Sequence, residues 1–312
     1  MKKTLLVLAL ALLLTACAST PAETPLVRVG MLPVLDGLPI YVAQADGYFA
    51  EEGVQVEIIP VGSAPERDQL MQSGQIDAMI NEIVSDMLYN KDGVQVVAVR
   101  FARTATAESP VFRIVASAQS GITDVDGLRG VPIGLSEGTV IEYTTDRMLE
   151  KAGFAPDEIV ALAVPKIADR MNLLASGQLD AANLPDPAAS LAILNGGVDV
   201  IDDTSCPEIS NSVITFSKAY IDANPEAVRA FLRAVERAVA AINTTPNGWD
   251  DLLSEQNLVP APLLGVYRLP SYPAASVPDE AQFNDALQWA LDKGLLTDTA
   301  PYADTVDGSY VP

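Results

Sequence analysis

The 312-residue chain contains no histidine and only two cysteines, Cys17 and Cys206. Without an imidazole, a Cys–His nucleophile pair is excluded. No residues are clustered at metal-ligand spacing and there is no phosphate-binding glycine loop, so no metal or cofactor is expected. Positive charge is scarce: 19 Lys and Arg stand against 41 Asp and Glu, a net charge of −22. Such a surface repels nucleic acid and anionic membranes at long range, and no nucleic-acid partner is expected. The acids are scattered, which fits a solubilising surface and not a disordered acidic tail. Beyond the N-terminus no segment approaches the ~20 uninterrupted apolar residues of a membrane span.

The N-terminus has its own pattern. Lys2 and Lys3 precede ten apolar residues, Leu5 to Leu14. A core of that length is too short to span a bilayer and reads as a signal peptide over residues 1–16. It ends in Leu14-Thr15-Ala16-Cys17, which resembles the bacterial lipobox. The resemblance implies cleavage before Cys17 and lipid on that residue. Residues 17–25, polar and containing two prolines, read as a tether. Acyl chains hold a protein at a membrane surface without spanning it. The mature body, about 290 residues, is then expected to be soluble and exported. Removal of Lys2 and Lys3 leaves 17 cations against 41 acids, a net charge of −24. With Cys17 used, Cys206 has no partner for a disulfide.

The body contains a repeat. Leu70 to Ile80 reads LMQSGQIDAMI, and from Leu173 the chain reads LLASGQLDAAN. Ser73, Gly74, Gln75 and Asp77 meet Ser176, Gly177, Gln178 and Asp180 at a constant offset of 103 residues; at the same offset Glu66-Arg67 meets Asp169-Arg170. Each copy is flanked by strand and helix signals. In the first half, strands are expected at 27–32, 54–61, 76–80 and 94–101. One helix is expected to open at Pro39 and run to Gly53, and another to run from the Ser63–Glu66 capping box to Gly74. In the second half, strands are expected at 131–136, 159–164, 179–185 and 198–202. Their helices open at the Thr139–Glu142 box and at 168, ending at Gly153 and Gly177. Alternation of strand and helix indicates a mostly parallel sheet with helices on its faces. The tail adds a strand at 211–216 and two amphipathic helices, one opening at Asn224-Pro225 and one near Asp279.

The repeat therefore predicts two α/β lobes. The chain is expected to build lobe 1 from 26–118 plus 210–312 and lobe 2 from 119–209, with crossings near Gln119 and Cys206–Asn211. Ser-Gly-Gln-Ile/Leu-Asp itself reads as a helix-to-strand connection, with its Gly and Asp structural. Open α/β sheets bind ligands beyond the carboxyl ends of their strands, where helix N-termini offer free N–H groups. Three places satisfy this. Asp36-Gly37-Leu38 follows the first strand, and Asp36 either accepts from a ligand or caps its own helix. Asn81-Glu82 follows the third strand, as site or solvated loop. Ser136-Glu137-Gly138-Thr139 opens lobe 2, where Gly138 permits close backbone approach, while Thr139 and Glu142 also suit a cap. Tyr143 either stacks on a planar ligand or belongs to the core.

The ordered segments MLPVLDGLPIYVAQADGYFAEEGVQVEIIP, GQIDAMI, GLSEGTVIEY and LPDP resemble the substrate-binding proteins of bacterial ABC importers. Within these the chain is similar to the branch that includes nitrate, sulfonate, taurine and thiamine-precursor binders. The resemblance implies a two-lobe α/β fold of the type II periplasmic-binding-protein kind, with ligand between mixed, mostly parallel sheets. It also implies a permease partner with a separate ATPase, and it places Pro185-Asp186 near the cleft. A monomer is expected. Thiamine-pyrimidine binders are related to a eukaryotic enzyme with an active-site histidine, an activity that a chain without histidine does not inherit. Asp36, Glu82, Glu137 and Asp186 make the expected cleft acidic, with Arg103 the nearby cation. That favours a neutral or cationic N-heterocycle over a sulfonate, nitrate or taurine-type anion, although helix N-termini bind anions unaided. A lyase or dehydratase using a cleft carboxylate is the enzymatic alternative.

Overall fold

The computed structural model describes residues 24–312. The signal peptide, Cys17 and most of the tether lie outside the described residues. Among the described residues no helix is long and apolar enough to cross a membrane.

Two five-stranded mixed sheets form the frame. The first has the order β2-β1-β3-β10-β4, with β1 Leu26–Met31, β2 Gln55–Pro60, β3 Ala78–Asn81, β4 Val96–Thr104 and β10 Asn211–Ser217. The second has the order β7-β6-β8-β5-β9, with β5 Phe112–Ala116, β6 Pro132–Leu135, β7 Val160–Ala163, β8 Ala181–Pro185 and β9 Val198–Asp202. In each sheet the fourth strand is antiparallel to both neighbours. Those strands, β10 and β5, are the ones that follow a crossing. Each lobe thus completes its sheet with a strand delivered from the other.

This corrects the first expected crossing. The chain leaves lobe 1 after Thr104, and Phe112–Ala116 already pairs with β8 and β9. Pro110 has no N–H and cannot continue a ladder, so the connection runs through 105–111 and not near Gln119. The second crossing, 203–210, consists of two short 3-10 turns.

The helices are α1 Leu38–Ala45, α2 Tyr48–Glu51, α3 Ala64–Gln72, α4 Ile83–Tyr89, α5 Val140–Lys151, α6 Ile167–Ala175, α7 Ala188–Leu194, α8 Lys218–Ala223, α9 Pro225–Thr244, α10 Asp250–Glu255, α11 Glu280–Asp292 and α12 Tyr302–Thr305. The single helix expected to Gly53 is two, because Gly47 takes φ 74° and ends the first. The repeat makes the same bonds in both lobes. Gln75 N donates to Leu70 O (2.9 Å) and Gln178 N to Leu173 O (3.0 Å). The Gln75 and Gln178 amides donate to Ser73 Oγ and Ser176 Oγ at 2.7 and 3.0 Å. Gly74 and Gly177 have φ of 68° and 69°, the left-handed cap that stops each helix. Asp77 differs from Asp180: it holds the Arg28 guanidinium at 2.7 and 2.8 Å.

The lobe 1 core lies under α9, where Phe231 stacks on Phe49 (5.0 Å) and meets Phe216 edge-on (5.4 Å). A second apolar cluster runs through both lobes, joining Ile83, Val84 and Met87 of α4 to Tyr143, Met148 and Leu149 of α5 and to Phe283, Ala286 and Trp289 of α11. The tail helix α11 therefore packs on lobe 1 and lobe 2 together. Trp289 is 2% exposed and donates its indole N–H to Asp146 Oδ2 (2.8 Å), which also faces Lys293 Nζ at 2.9 Å.

Trp289→Phe keeps an aromatic ring in the cluster but strips one donor from the buried Asp146 carboxylate and leaves a small void. The expected loss is about 1–3 kcal/mol of unfolding free energy in urea titrations followed by far-UV circular dichroism. A change below about 0.5 kcal/mol, typical of neutral surface sites, contradicts this role.

Candidate functional site

A cavity of about 80 Å³ lies between the lobes, at the carboxyl ends of the parallel strands. Lobe 1 contributes Leu32, Val34 and Asp36 after β1, Arg67 from α3, and Ile80, Asn81 and Glu82 at the end of β3. The first crossing contributes Val111, and the strands entered after the two crossings contribute Phe112 and Ser212. Lobe 2 contributes Thr139, Val140 and Ile141 at the start of α5, Ile167 at the start of α6, and Pro185 ending β8. Most of this lining is apolar, and Phe112 offers an aromatic face. Pockets that enclose drug-sized ligands run to roughly 300–1,000 Å³, so a ring-sized ligand requires the lobes to part.

The polar groups sit in a layered arrangement. Glu82 is the N-cap of α4; its Oε2 accepts from Ser85 N (3.0 Å), and its Oε1 has no partner among the described residues. Burial pushes its carboxyl up to about 7, against the pull of the Arg67 guanidinium, the Ser85 N–H and, from lobe 2, the Val140 N–H. Asn81 donates to Asp86 Oδ1 (2.6 Å), and Asp86 Oδ2 accepts from Thr215 Oγ1 (3.0 Å). Burial also holds Asp86 well above the usual carboxylate range. The Asn81 Oδ1 is likewise without a partner among the described residues. Two buried acceptors at one end of the cavity are thus left free for a donor, an arrangement that costs free energy until a donor arrives.

Arg67 is 3% exposed and donates to Ile80 O (3.1 Å) and Asp68 Oδ1 (2.9 Å). Sequence reasoning noticed it only as half of a repeated Glu-Arg pair. Arg103, 1% exposed, donates to Asp186 O (2.9 Å) and Pro110 O (3.0 Å) and lies 3.5 Å from Asp36 Oδ1. It links lobe 1, the first crossing and lobe 2.

Several expected site residues are placed elsewhere. Leu38 is fully buried in the lobe 1 core, and Gly37 packs on Met31, where a Cβ would stand 2.7 Å from Met31 Cε. Tyr143 points away from the cavity: its hydroxyl donates to Asp285 Oδ2 (2.5 Å) and its ring meets Trp289 edge-on at 5.5 Å. On a helix whose N-terminus lines the cleft, the position one turn in faces the neighbouring helix, which explains the correction. Asp186 is also turned aside. Its carboxylate accepts from Ser190 Oγ (2.5 Å) and from the Tyr267 hydroxyl, and only its carbonyl meets Arg103. Glu137 is exposed. The expected acidic cleft is therefore corrected: only Asp36 and Glu82 line it, and each has an arginine nearby.

The lobe 2 loop is self-contained. Gly138, with φ 68°, donates its N–H to Glu142 Oε2 (2.7 Å). Thr139 Oγ1 accepts from Ile141 N (3.2 Å) and donates to Ser136 O (2.7 Å). Ser136 Oγ, 2% exposed, has no partner among the described residues. Phe112 and Ser212 carried no sequence signal, because their place in the site depends on where the chain crosses.

Comparison with known proteins adds the following. The family model described as NMT1/THI5 like matches residues 36–248. A 4-amino-5-hydroxymethyl-2-methylpyrimidine phosphate synthase of Aspergillus parasiticus is 25% identical over 221 residues, 67% of this chain and 63% of that protein. The chain thus spans less than two thirds of the length of that curated relative. A formylaminopyrimidine-binding protein of Halalkalibacterium halodurans is 25% identical over 256 residues, 80% of this chain and 76% of that protein. The alkanesulfonate-binding protein SsuA from Xanthomonas axonopodis pv. citri matches with a TM-score of 0.77 at 17% identity, over 93% of this chain and 99% of that one. At that identity the likeness shows the fold: two helix-flanked mixed sheets of the periplasmic-binding-protein kind.

The raised Glu82 pKa gives a signed expectation. Below about 7 the carboxyl is largely protonated, and above it the stronger, ionised acceptor is present. Affinity for an N–H donor ligand should therefore rise between about pH 6 and pH 8 and then level off. In Glu82→Gln, which leaves Arg67 and Asp86 in place, that slope should vanish in calorimetric titrations. A slope that persists assigns the titration to another group.

Proposed function

Because the chain belongs to the NMT1/THI5-like family, we propose that it is an exported solute receptor, lipid-anchored through Cys17. It captures a small molecule between its lobes and delivers it to an ABC permease powered by a separate ATPase. One observation carries the ligand class. Two buried acceptors, Asn81 Oδ1 and Glu82 Oε1, have no partner among the described residues and stand at a mostly apolar cavity between the lobes. A planar heterocycle with N–H donors satisfies both and packs its faces on Phe112 and the aliphatic lining. The printed name of the Halalkalibacterium relative, a formylaminopyrimidine binder, supports this class. Closure on such a ligand draws on contacts made only when the lobes meet.

A simple sulfonate or nitrate fits less well. The two cleft arginines already serve Asp68, Asp36 and backbone carbonyls. The enzymatic reading has support from the fungal synthases among the relatives. It is weakened by the absence of any imidazole from the 312 residues, the side chain most often used as general base, although a cleft carboxylate is still available for that role.

Native mass spectrometry of protein purified without refolding identifies the ligand, and calorimetry with aminopyrimidines and alkylsulfonates then tests the site. Glu82→Ala should weaken aminopyrimidine binding by roughly ten- to a hundredfold, the worth of a hydrogen bond to a charged group. Stabilisation by an alkylsulfonate that grows in Glu82→Ala reverses the ligand class, and turnover of bound ligand by the purified protein supports the enzyme.

Cys17→Ser should leave the protein soluble or unprocessed in cell fractionation. Membrane partition equal to that of the wild type removes the anchor.

A further inference from the structure

The cavity between the lobes is lined by one further group without a partner. Ser212 is 7% exposed, and its Oγ has no hydrogen-bond partner among the described residues. It is the second residue of β10, the strand that the second crossing delivers into the lobe 1 sheet. Because β10 runs antiparallel to β3, its start lies at the carboxyl end of β3. Val213 pairs with Asn81, so the next register position sets Ser212 beside Glu82. On the other edge Ser212 pairs with Arg103 and Val213 with Phe101, which leaves Ala102 as an extra residue in the ladder. Bulges of this kind re-aim side chains and are concentrated next to functional sites.

The residues that follow on β10 are all accommodated. Val213 packs in the cluster shared by α4, α5 and α11, and Ile214 packs in the lobe 1 core. The Thr215 hydroxyl donates to Asp86 Oδ2 (3.0 Å). Ser212 has neither apolar packing nor a polar partner. A buried hydroxyl in that position costs free energy until a partner arrives, and an alanine would avoid the cost.

The other polar side chains of the lining show what the hydroxyl is for. Arg67 spends Nε on Asp68, NH1 on Ile80 O and NH2 on Ser85 Oγ. The Asn81 amide donates to Asp86 and the Thr139 hydroxyl to Ser136 O. Asn81 Oδ1 and an ionised Glu82 Oε1 only accept. Of the side chains lining the cavity, Ser212 therefore holds the proton that has no acceptor among the described residues.

We propose that Ser212 is a specificity-determining residue of the cleft, its hydroxyl donating to a lone-pair atom of the ligand that neighbours the N–H groups taken by Asn81 and Glu82. This rests on the receptor reading above and deepens it. The recognised edge is mixed, an N–H beside a ring nitrogen or a carbonyl oxygen, as in an amidine or an amide. A cation that offers only N–H donors, such as a guanidinium or an alkylammonium, leaves the hydroxyl unanswered and is discriminated against. So is an arylamine without a ring nitrogen. The competing role for the hydroxyl is structural, as acceptor for Arg103 Nε, which also has no partner among the described residues. In that role its removal acts on the fold and not on the choice of ligand.

The test is calorimetry on the intact protein with 4-aminopyrimidine and aniline, which share the amino group and ring size, while only the first has a ring nitrogen beside the amino carbon. Ser212→Ala should weaken 4-aminopyrimidine binding by roughly two- to tenfold, the worth of one neutral hydrogen bond. Aniline should bind wild type and variant alike, or neither measurably. The Tm of the ligand-free variant should equal or exceed that of wild type, since a buried hydroxyl without a partner has been removed. Unchanged 4-aminopyrimidine affinity in Ser212→Ala overturns the proposal and leaves the receptor reading standing. An equal loss for both probes together with a lower ligand-free Tm assigns Ser212 to Arg103 and also overturns it. If wild type binds neither probe, the heterocycle reading falls and takes this role for Ser212 with it.

Discussion

Arg103 joins the parts that the cleft requires to act together. Its guanidinium is buried, and it reaches a lobe 1 carboxylate, a carbonyl of the first crossing and a carbonyl of lobe 2. Arginine suits this place because its planar fork serves several acceptors at once and keeps its charge when desolvated. Such an arrangement adds little net stability, since desolvation offsets most of the attraction. Its consequence is geometric. Asp36 is held at the cavity wall and Asp186 is fixed through its backbone, leaving its carboxylate for Ser190 and Tyr267.

The two crossings give this contact its setting. Each delivers an antiparallel strand into the opposite sheet, so neither lobe has a complete sheet without chain from the other. The cluster shared by α4, α5 and α11 extends the dependence into the apolar core. On the cleft side the polar contacts between the lobes include Arg103 to Asp186 O and Tyr267 to the Asp186 carboxylate.

Net charge conceals where the unpartnered polar groups lie. A protein with 41 acids and 19 bases leaves buried donors and acceptors without partners in both lobes, among its described residues Arg103 Nε and Asn81 Oδ1 in lobe 1 and Arg170 Nε and Asn183 Oδ1 in lobe 2. The lobes are near repeats in backbone but differ around the paired arginines: Arg67 has Asp68 and Ser85 as side-chain partners, and Arg170 has the Val164 carbonyl.

The sequence by itself determined much of the local structure. The Ser63 and Thr139 caps, the Gly74 and Gly177 stops and the strands around them follow from short-range hydrogen bonding and backbone sterics, which adjacent residues decide. The 103-residue offset likewise made two lobes legible, since a repeated unit needs a repeated fold. Asn81 and Glu82 were legible as the meeting of a strand end and a helix start, and the structure sets that junction beside the cavity. Only the tertiary structure decided the rest. Phe112–Ala116 is five residues with weak alternation, and its identity as a lobe 2 strand depends on the gap between β8 and β9. Whether Asp186, Tyr143 or Arg170 faces ligand, core or partner depends on residues 80 to 140 positions away, such as Tyr267 and Asp285. Side-chain direction at a cleft is set by long-range packing and desolvation, and no local pattern encodes which buried group is left without a partner.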